Sequence, residues 1–382
     1  MPGLKRTISF FFCVFFASAA HATENADSTL SHFKRTAKAF EIFVHEAVDA
    51  GRVPGAAIAI VNPNYGAFVK GLGVRTIGHP EPIDTHTVFR IASVSKGFAA
   101  VLTGILVEEG RLNWNDRVLR YLPDFSLTDS CNTQKSMIRH ILSHTTGVQE
   151  HAFTTLLDGN VSYKKIVKEL DRASIVCEVG ECFAYQNVVY SLIGDILKAA
   201  TGQSYEWLLA DRIFEPLGMR DASVGWQAIK SQKNRATPHV RASHRWIPTR
   251  IRKTYYSVPP AAGVNASIAD MARWLTALLG GFPQIISIRT LIDISEQVII
   301  TSKGKRYYRI WKNLRKAWYG LGWRVLDYAG TKVVYHGGYV RGYRAEIAFV
   351  PEYHVGVVIL MNAGSRFANI CVPTFLDLYL QL

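Results

Sequence analysis

The 382-residue sequence has no internal repeat of fixed period and no low-complexity segment, and only 19% of its residues are charged. The lack of repeats excludes collagen and solenoid architectures. The chain is too long for a small disulfide scaffold, and its 48% hydrophobic content is too high for a disordered chain. What remains is a globular protein of enzyme size with one large or two ordinary hydrophobic cores.

The N-terminus lacks an apolar run long enough to span a membrane. Residues 8–16 are mostly apolar, well short of the roughly 20 residues of a spanning helix. Lys5 and Arg6 precede this run and Ala20-His21-Ala22 follows it, which is the three-part pattern of a secretory signal peptide. We therefore expect residues 1–22 to be a signal peptide and residues 23–382 to form one exported domain. It would be periplasmic in a host with an outer membrane and secreted otherwise.

Acidic residues are missing from two basic stretches of the chain. None lies between Asp221 and Asp270, where eight lysines and arginines occur, and none lies in residues 303–318, which hold seven. The formal net charge is +14. In an exported protein such surfaces favour lipid head groups of a membrane surface, anionic cell-wall polymers or carboxylate-bearing substrates over nucleic acid. The alternative is that both stretches are solvated faces without a specific ligand.

Cysteines are few, and their spacing does not predict a metal site. Four remain after removal of the signal peptide: Cys131, Cys177, Cys182 and Cys371. Three disulfide pairings are possible, and sequence does not choose among them, although Cys177 and Cys182 are close enough to close a small loop. No second Cys or His pair follows them at zinc spacing. His140 and His144 are interpreted as structural residues, because no glutamate follows His140 as a metalloprotease helix requires.

Hydrophobic periodicity predicts strands at both ends of the chain and helices between them. Helices are expected at residues 30–50, after Ser93, at 188–200, at 268–279 and at 367–382. Strands are expected at residues 56–61, 67–74, 332–335, 344–350 and 355–361. The fold class is therefore α/β (α+β), with an antiparallel sheet built from both termini, flanked by helices, and an inserted, mainly helical region.

The first chemical motif is Ser93-Val94-Ser95-Lys96 at the start of a predicted helix. This spacing places the serine hydroxyl and the lysine amine on one face, one turn apart. A serine becomes nucleophilic when a neighbouring base takes its proton, and a desolvated lysine can be that base. The pattern occurs four times in the chain, but only Ser93 follows a short apolar run and precedes an uninterrupted amphipathic helix. Ser95 is adjacent to the lysine and is not expected to be the nucleophile.

The second motif is Tyr185-Gln186-Asn187, which is the sole Tyr-x-Asn in the sequence. A tyrosine beside a lysine can relay a proton to a leaving nitrogen, and an asparagine amide can orient the lysine and bind a substrate carbonyl. Ser130-Cys131-Asn132 is a rival for the same position, although it stands in a polar loop.

The third motif is His336-Gly337-Gly338, which follows a predicted strand. Two glycines on a strand beside a pocket allow a substrate backbone to approach closely. The N–H of the next residue, Tyr339, could then complete an oxyanion hole with the N–H of Ser93. By itself, Gly-Gly is more often a plain turn.

Taken in order, these motifs resemble those of the serine β-lactamase and penicillin-binding protein superfamily, in its class C β-lactamase-like branch. The family order is Ser-x-x-Lys, then Tyr-x-Asn, then a Lys- or His-x-Gly triplet near the C-terminus. Four further segments are similar to the family's sequences, at residues 138–147, 216–219, 267–274 and 319–323. The resemblance covers essentially the whole chain after residue 22, and it implies a mixed sheet with a helical region and the site between them.

The resemblance implies a role for each motif residue. Ser93 would be the acylated nucleophile and Lys96 its proton acceptor. Tyr185 would complete protonation of the leaving group and activate the deacylating water. Asn187 would contact a substrate amide, and the strand from His336 to Gly338 would bind substrate. No metal or organic cofactor is implied, and a monomer is favoured.

One departure from the family pattern affects the substrate. Class C β-lactamases carry Lys-Thr-Gly where this chain has His336-Gly337-Gly338, so a fixed positive charge and a hydroxyl for a substrate carboxylate are lost. Arg341 or Arg344 could restore the charge, although Arg344 could equally lie on the outer face of the sheet. The expected activity is hydrolysis of small-molecule β-lactams or D-peptides. The alternatives are a carboxylic esterase or D-aminopeptidase with the same site, and a catalytically silent wall- or membrane-binding protein.

Overall fold

The structure is a computed structural model that describes residues 12–301 and 308–382, and the first described side chain is that of Ser28. Residues 1–11 of the predicted signal peptide lie outside the described residues, as do three cations of the second basic stretch, Lys303, Lys305 and Arg306. None of the described helices is both long enough and apolar enough to cross a membrane.

The strands follow the predicted pattern at both ends of the chain and add several that the sequence did not indicate. In chain order they are β1 (Gly55–Asn62), β2 (Gly66–Gly73), β3 (Phe89–Arg90), β4 (Ser223–Val224), β5 (His239–Ala242), β6 (Arg245–Pro248), β7 (Val264–Ala266), β8 (Ile299–Ile300), β9 (Leu314–Tyr319), β10 (Arg324–Tyr328), β11 (Thr331–Val340), β12 (Tyr343–Val350) and β13 (Val355–Met361).

The helices lie mainly between β2 and β8. They are α1 (Phe12–Asp49), α2 (Ser95–Glu108), α3 (Ser130–Lys135), α4 (Ile138–Leu142), α5 (Thr154–Asp158), α6 (Tyr163–Val167), α7 (Asn187–Thr201), α8 (Tyr205–Leu209), α9 (Glu215–Leu217), α10 (Trp226–Ser231), α11 (Pro259–Ala262), α12 (Ile268–Leu278), α13 (Ile288–Ile294) and α14 (Ala368–Leu380).

Within the described residues, eight strands form one antiparallel sheet in the order β2-β1-β13-β12-β11-β10-β9-β8. The N-terminal strand β1 pairs with the C-terminal strand β13, with Ile58 opposite Ile359. The predicted antiparallel sheet built from both ends of the chain is confirmed. The pairing explains why β1 and β13 are continuous runs of apolar residues, because both of their faces are covered.

The two faces of the sheet bury two separate cores. Alternate residues of β1 point into different cores. Ile58 and Ile60 pack with α1 and α14, and Ala57 and Ala59 pack on the other side with α2 and α12. On the α1 side Phe40 meets Phe375 edge to face at 5.7 Å. On the α2 side Phe98 stacks on Trp274 at 4.0 Å. The sheet is therefore the central layer, and the helical region lies on its α2 face.

Strand β11 is longer than the predicted segment 332–335, and its second half has an open edge. Strand β10 pairs with β11 as far as Tyr335, opposite Arg324, whereas β12 pairs with it as far as Val340. In the described part of the chain, residues 336–340 are therefore paired on one side alone. An unpaired strand edge offers backbone N–H and C=O groups to another chain.

The cysteines, whose pairing the sequence left open, form one disulfide, between Cys177 and Cys182. Cys131 is a free thiol at the surface, and Cys371 is a free buried one. Among the described residues, no three His, Cys, Asp or Glu side chains are grouped to hold a metal ion.

Candidate active site

Ser93 lies in a strained turn directly before α2. The turn is one 3₁₀ helix, Ala92–Val94, and Ala92 has φ +49°, a conformation that costs an alanine energy and often marks a functional site. Ser93 is partly exposed, whereas the next two polar residues, Ser95 and Lys96, are fully buried. Ser95 Oγ accepts a hydrogen bond from the Val264 N–H at 3.0 Å, so its hydroxyl is occupied by the backbone.

The amine of Lys96 is held beside the Ser93 hydroxyl by two acceptors. Lys96 Nζ donates to Asn187 Oδ1 at 2.7 Å and to the Ala261 carbonyl at 3.1 Å, and it lies 3.4 Å from Ser93 Oγ. An uncharged amine has two N–H donors and one lone pair. Since both donors are used, the lone pair remains to accept the Ser93 proton.

Burial favours the uncharged form of this amine. Desolvation, together with the nearby charge of Arg324, holds the pKa of Lys96 well below its ordinary value. Desolvation also raises the pKa of Tyr185 to about 12, although a hydrogen bond with Ser93 opposes the rise. Near neutral pH the phenol of Tyr185 therefore carries its proton, and the group whose basic form is favoured is Lys96.

Tyr185 and Asn187 reach Lys96 because α7 begins between them. Asn187 is the first residue of α7, and the ring of Tyr185 lies 4.6 Å below Lys96 Nζ. His144 supports this segment, because its Nδ1 accepts the Gln186 N–H at 3.1 Å and its ring lies 4.3 Å from that of Tyr185. The rival Asn132 instead donates to the carbonyls of Thr146 and Cys177.

The segment Tyr319-Gly-Leu-Gly-Trp323 packs against the first turn of α2. A Cβ on Gly97 would collide with the Trp323 indole, and a Cβ on Gly322, where φ is +75°, would lie 2.8 Å from the Lys96 carbonyl. Both glycines are therefore required by close packing. The segment of residues 319–323 therefore fixes the position of the helix turn that carries Lys96.

The open edge of β11 passes directly beside the Ser93 turn. A Cβ on Gly338 would collide with the Ile91 carbonyl oxygen and lie 3.3 Å from Ala92 Cβ. Gly337 lies on the opposite face, toward the Tyr335 hydroxyl and Glu346. Gly338 thus permits the strand to approach the turn, and the expected oxyanion hole of Ser93 and Tyr339 stays a prediction.

Replacing Gly338 with alanine is expected to destabilise the protein by about 1 to 3 kcal/mol, because the strand and the Ser93 turn must move apart. Thermal unfolding of the variant measures the effect. The control is Gly159→Ala, at an exposed position with φ −74°, where a change of roughly 0.5 kcal/mol or less is expected. Equal melting temperatures for the two variants would contradict the packing argument.

His336, predicted to contact substrate, is buried with 1% of its surface exposed. Its Nε2 shares a hydrogen bond with the Tyr319 hydroxyl at 3.1 Å. Desolvation and the charges of Arg324 and Lys96 hold the pKa of His336 well below its ordinary value. The imidazole is therefore neutral near pH 7, and the substrate contact predicted for His336 stays a prediction.

Arg324 is the cation that sequence analysis missed. It is buried, and its guanidinium lies 5.7 Å from the Tyr319 ring and 5.9 Å from the Tyr308 ring. The one available signal was its position directly after Trp323. Arg344 is on the outer face of the sheet, where it pairs with Glu346 at 2.6 Å, and Arg341 is exposed in the turn after β11. Neither lies on the Ser93 face of the strand.

Comparisons with known proteins give the family and the fold. The family model described as Beta-lactamase matches residues 40–371. Unguisins hydrolase ungD of Aspergillus violaceofuscus (strain CBS 115571) is 25% identical over 378 residues, which cover 87% of this chain and 63% of that protein. The chain thus spans less than two thirds of the length of this curated relative.

Two solved structures are similar over most of both chains. The octameric penicillin-binding protein homologue from Pyrococcus abyssi has a TM-score of 0.75 and 24% identity, covering 88% of this chain and 77% of that one. The D-amino acid amidase of Ochrobactrum anthropi SV3 has a TM-score of 0.74 and 20% identity, covering 89% and 98%. At these identities the likeness establishes the fold.

Proposed function

Because the chain belongs to the beta-lactamase family, we propose that it is a serine hydrolase that cleaves β-lactams or D-amino-acid peptides through an acyl-enzyme at Ser93. We propose further that it is exported, on the strength of the N-terminal pattern of residues 1–22. The observation that carries the proposed chemistry is the buried Lys96 amine, 3.4 Å from Ser93 Oγ, with both of its donors already occupied.

The acylation step follows from these contacts. Lys96 accepts the Ser93 proton, and Ser93 Oγ forms a bond to the substrate carbonyl carbon. The bond from that carbon to nitrogen then breaks, and the leaving nitrogen receives a proton from Tyr185, which the Lys96 ammonium replaces. Asn187 accepts from Lys96 through its Oδ1, so its Nδ2 would be the group that donates to a substrate carbonyl.

Deacylation reverses the proton transfers with water in place of the leaving nitrogen. The water loses its proton to the Tyr185 and Lys96 pair, attacks the ester carbonyl, and releases the acid as Ser93 regains its proton. The rate of this step separates a β-lactamase from a penicillin-binding protein, since both form the same intermediate.

The second candidate is an esterase or D-aminopeptidase that uses the same residues. The specific observation in its favour is the neutral, buried His336, which does not supply the fixed charge of a strand lysine to a substrate carboxylate. Neutral esters or D-amino acid amides would then be better substrates than penicillins. The name of the structurally similar D-amino acid amidase supports including such an amide among the probes.

Intact-protein mass spectrometry with benzylpenicillin tests the proposal, with spectra after seconds and after minutes. A persistent adduct on Ser93 is expected of a penicillin-binding protein, and an adduct that disappears as hydrolysed drug accumulates is expected of a β-lactamase. Labelling by p-nitrophenyl acetate or turnover of D-phenylalanine amide, without reaction with penicillin, would select the second candidate. No reaction with any probe would contradict both and favour a catalytically silent binding protein.

The rate of acylation is expected to rise with pH and level off well below pH 10.5. The reason is that Lys96 acts as a base only when unprotonated, and burial lowers its pKa from the ordinary 10.5. Activity is therefore lost as the pH falls through the lowered value, and deprotonation of Tyr185 does not intervene until about pH 12. The measurement is the second-order acylation rate across this range. A midpoint near 10.5 would contradict the assignment of Lys96 as base.

A further inference from the structure

The hairpin of β5 and β6 presents one of its two faces to solvent. Side chains alternate along both strands, so Arg241 and Trp246, which lie opposite each other, share a face. That face is turned toward the body of the protein, because Trp246 packs against the core on the α14 side and its Nε1 donates to the Gly51 carbonyl at 3.0 Å. The outward face carries Val240, Ala242, Arg245 and Ile247. The last three of these side chains are exposed, so the outward face combines a cation with apolar groups.

Further cations follow directly after β6. Arg250 and Arg252 line an open groove of about 610 Å³, and Lys253 adjoins them. All three side chains are exposed. We call the outward face of the hairpin, together with these three cations, the basic hairpin surface. None of its four cations forms an ion pair with a described residue, and the sequence has no acidic residue between positions 222 and 269.

The backbone beneath these cations is held by two other parts of the protein. The buried guanidinium of Arg90 donates to the carbonyls of Arg252 at 3.0 Å and of Thr254 at 3.1 Å. The indole of Trp226 donates to the Ile251 carbonyl at 3.3 Å. Because this segment is fixed, its cations project from a defined surface, and the backbone loses less freedom on binding than a mobile tail would.

The combination of cations and apolar side chains favours a membrane over a soluble polyanion. Lysine and arginine are attracted by the surface potential of an anionic bilayer, and apolar side chains gain by entering the boundary between head groups and acyl chains. Ile247 is 44% exposed on the same face as Arg245, and a soluble polyanion offers no apolar layer for it. Arginine also binds phosphate, the charged group of phospholipids, in a bidentate geometry.

We propose that the basic hairpin surface docks the protein on an anionic phospholipid membrane. Arg245, Arg250 and Arg252 contact lipid phosphates, and Ile247 enters the head-group boundary. The inference assigns a role to the first of the two basic stretches, and it selects a membrane among the anionic partners that the sequence leaves open. It does not depend on the activity proposed for Ser93, because docking needs no turnover.

Co-sedimentation with phosphatidylcholine vesicles, prepared with and without phosphatidylglycerol, tests the inference. We expect binding to be about tenfold tighter when phosphatidylglycerol is present at low salt, a preference that about 0.5 M NaCl should largely remove. The combined variant Arg245→Gln, Arg250→Gln and Arg252→Gln should weaken this binding about tenfold or more. The charge-matched control changes three exposed cations elsewhere, Arg111→Gln, Lys198→Gln and Arg289→Gln, and should leave the affinity within about twofold. Every variant keeps the full chain, so the N-terminus contributes equally to each.

Ile247→Ser distinguishes a membrane from a soluble polyanion. This variant should weaken vesicle binding about fivefold and leave binding to polyglutamate unchanged. Its control is Ile288→Ser, at a 68% exposed isoleucine on α13, which should change neither.

Hydrogen exchange measured by mass spectrometry supplies a local readout, because residues 239–253 should exchange more slowly on vesicles that contain phosphatidylglycerol. Equal binding to both kinds of vesicle, unchanged exchange in this segment, or an arginine variant that binds as well as its control would overturn the inference. Tighter binding to polyglutamate than to vesicles, with no effect of Ile247→Ser, would overturn it in favour of a soluble polyanion.

Discussion

Replacing Ser93 with alanine is expected to abolish covalent labelling by benzylpenicillin and to lower its hydrolysis by about 10⁴-fold or more. The Ser93 hydroxyl lies 3.4 Å from the Lys96 amine, whereas the hydroxyl of the neighbouring Ser95 is occupied by the Val264 N–H. Because Ser93 is partly exposed at a turn, loss of one oxygen should leave the melting temperature nearly unchanged. Mass spectrometry and thermal unfolding measure the two outcomes.

Ser95→Ala is the matched control for that variant, and the opposite result is expected. Its hydroxyl accepts the Val264 N–H at 3.0 Å in a fully buried position, so its loss leaves a buried donor without a partner. We expect a cost of about 1 to 3 kcal/mol in the free energy of unfolding, with labelling retained. Retained labelling in Ser93→Ala, or lost labelling in a folded Ser95→Ala, would contradict the assignment of the nucleophile.

The parts of the site that sequence predicted are those whose spacing is local. Ser93 and Lys96 are one helical turn apart, and Tyr185 and Asn187 flank the start of α7, so each pair is visible as a short pattern. The sheet of both termini was also predictable, because β1 and β13 are apolar runs. The strands β8, β9 and β10 were missed because they are short or charged, and their pairing is set by the sheet.

What sequence did not predict depends on which face a residue occupies. The burial of the His336 ring and its hydrogen bond with Tyr319 are examples, because nothing in the local sequence indicates either of them. Arg324 is separated from Lys96 by more than two hundred residues, and its charge bears on that amine only after β10 is placed beside β11.

Replacing Lys96 with methionine is expected to lower the acylation rate by about 10³-fold, within the range of lost general-base catalysis. Ser93 stays in place, but its proton has no acceptor of matched pKa, because the phenol of Tyr185 is protonated up to about pH 12. The residual rate should also lose the rise with pH that Lys96 imposes. Rates of Ser93 acylation measured across pH test both effects.

A second Ser-x-x-Lys in the same chain supplies the control for that variant. Lys165 follows Ser162 at the identical spacing, but both are exposed near α6, so Lys165→Met should leave the rate and its pH dependence unchanged. The comparison isolates what the fold adds to the motif: burial, two carbonyl acceptors and the neighbouring Arg324. If Lys96→Met retained both the acylation rate and its fall at low pH, the proton acceptor would have to be another group. Tyr185 would be the first residue to test.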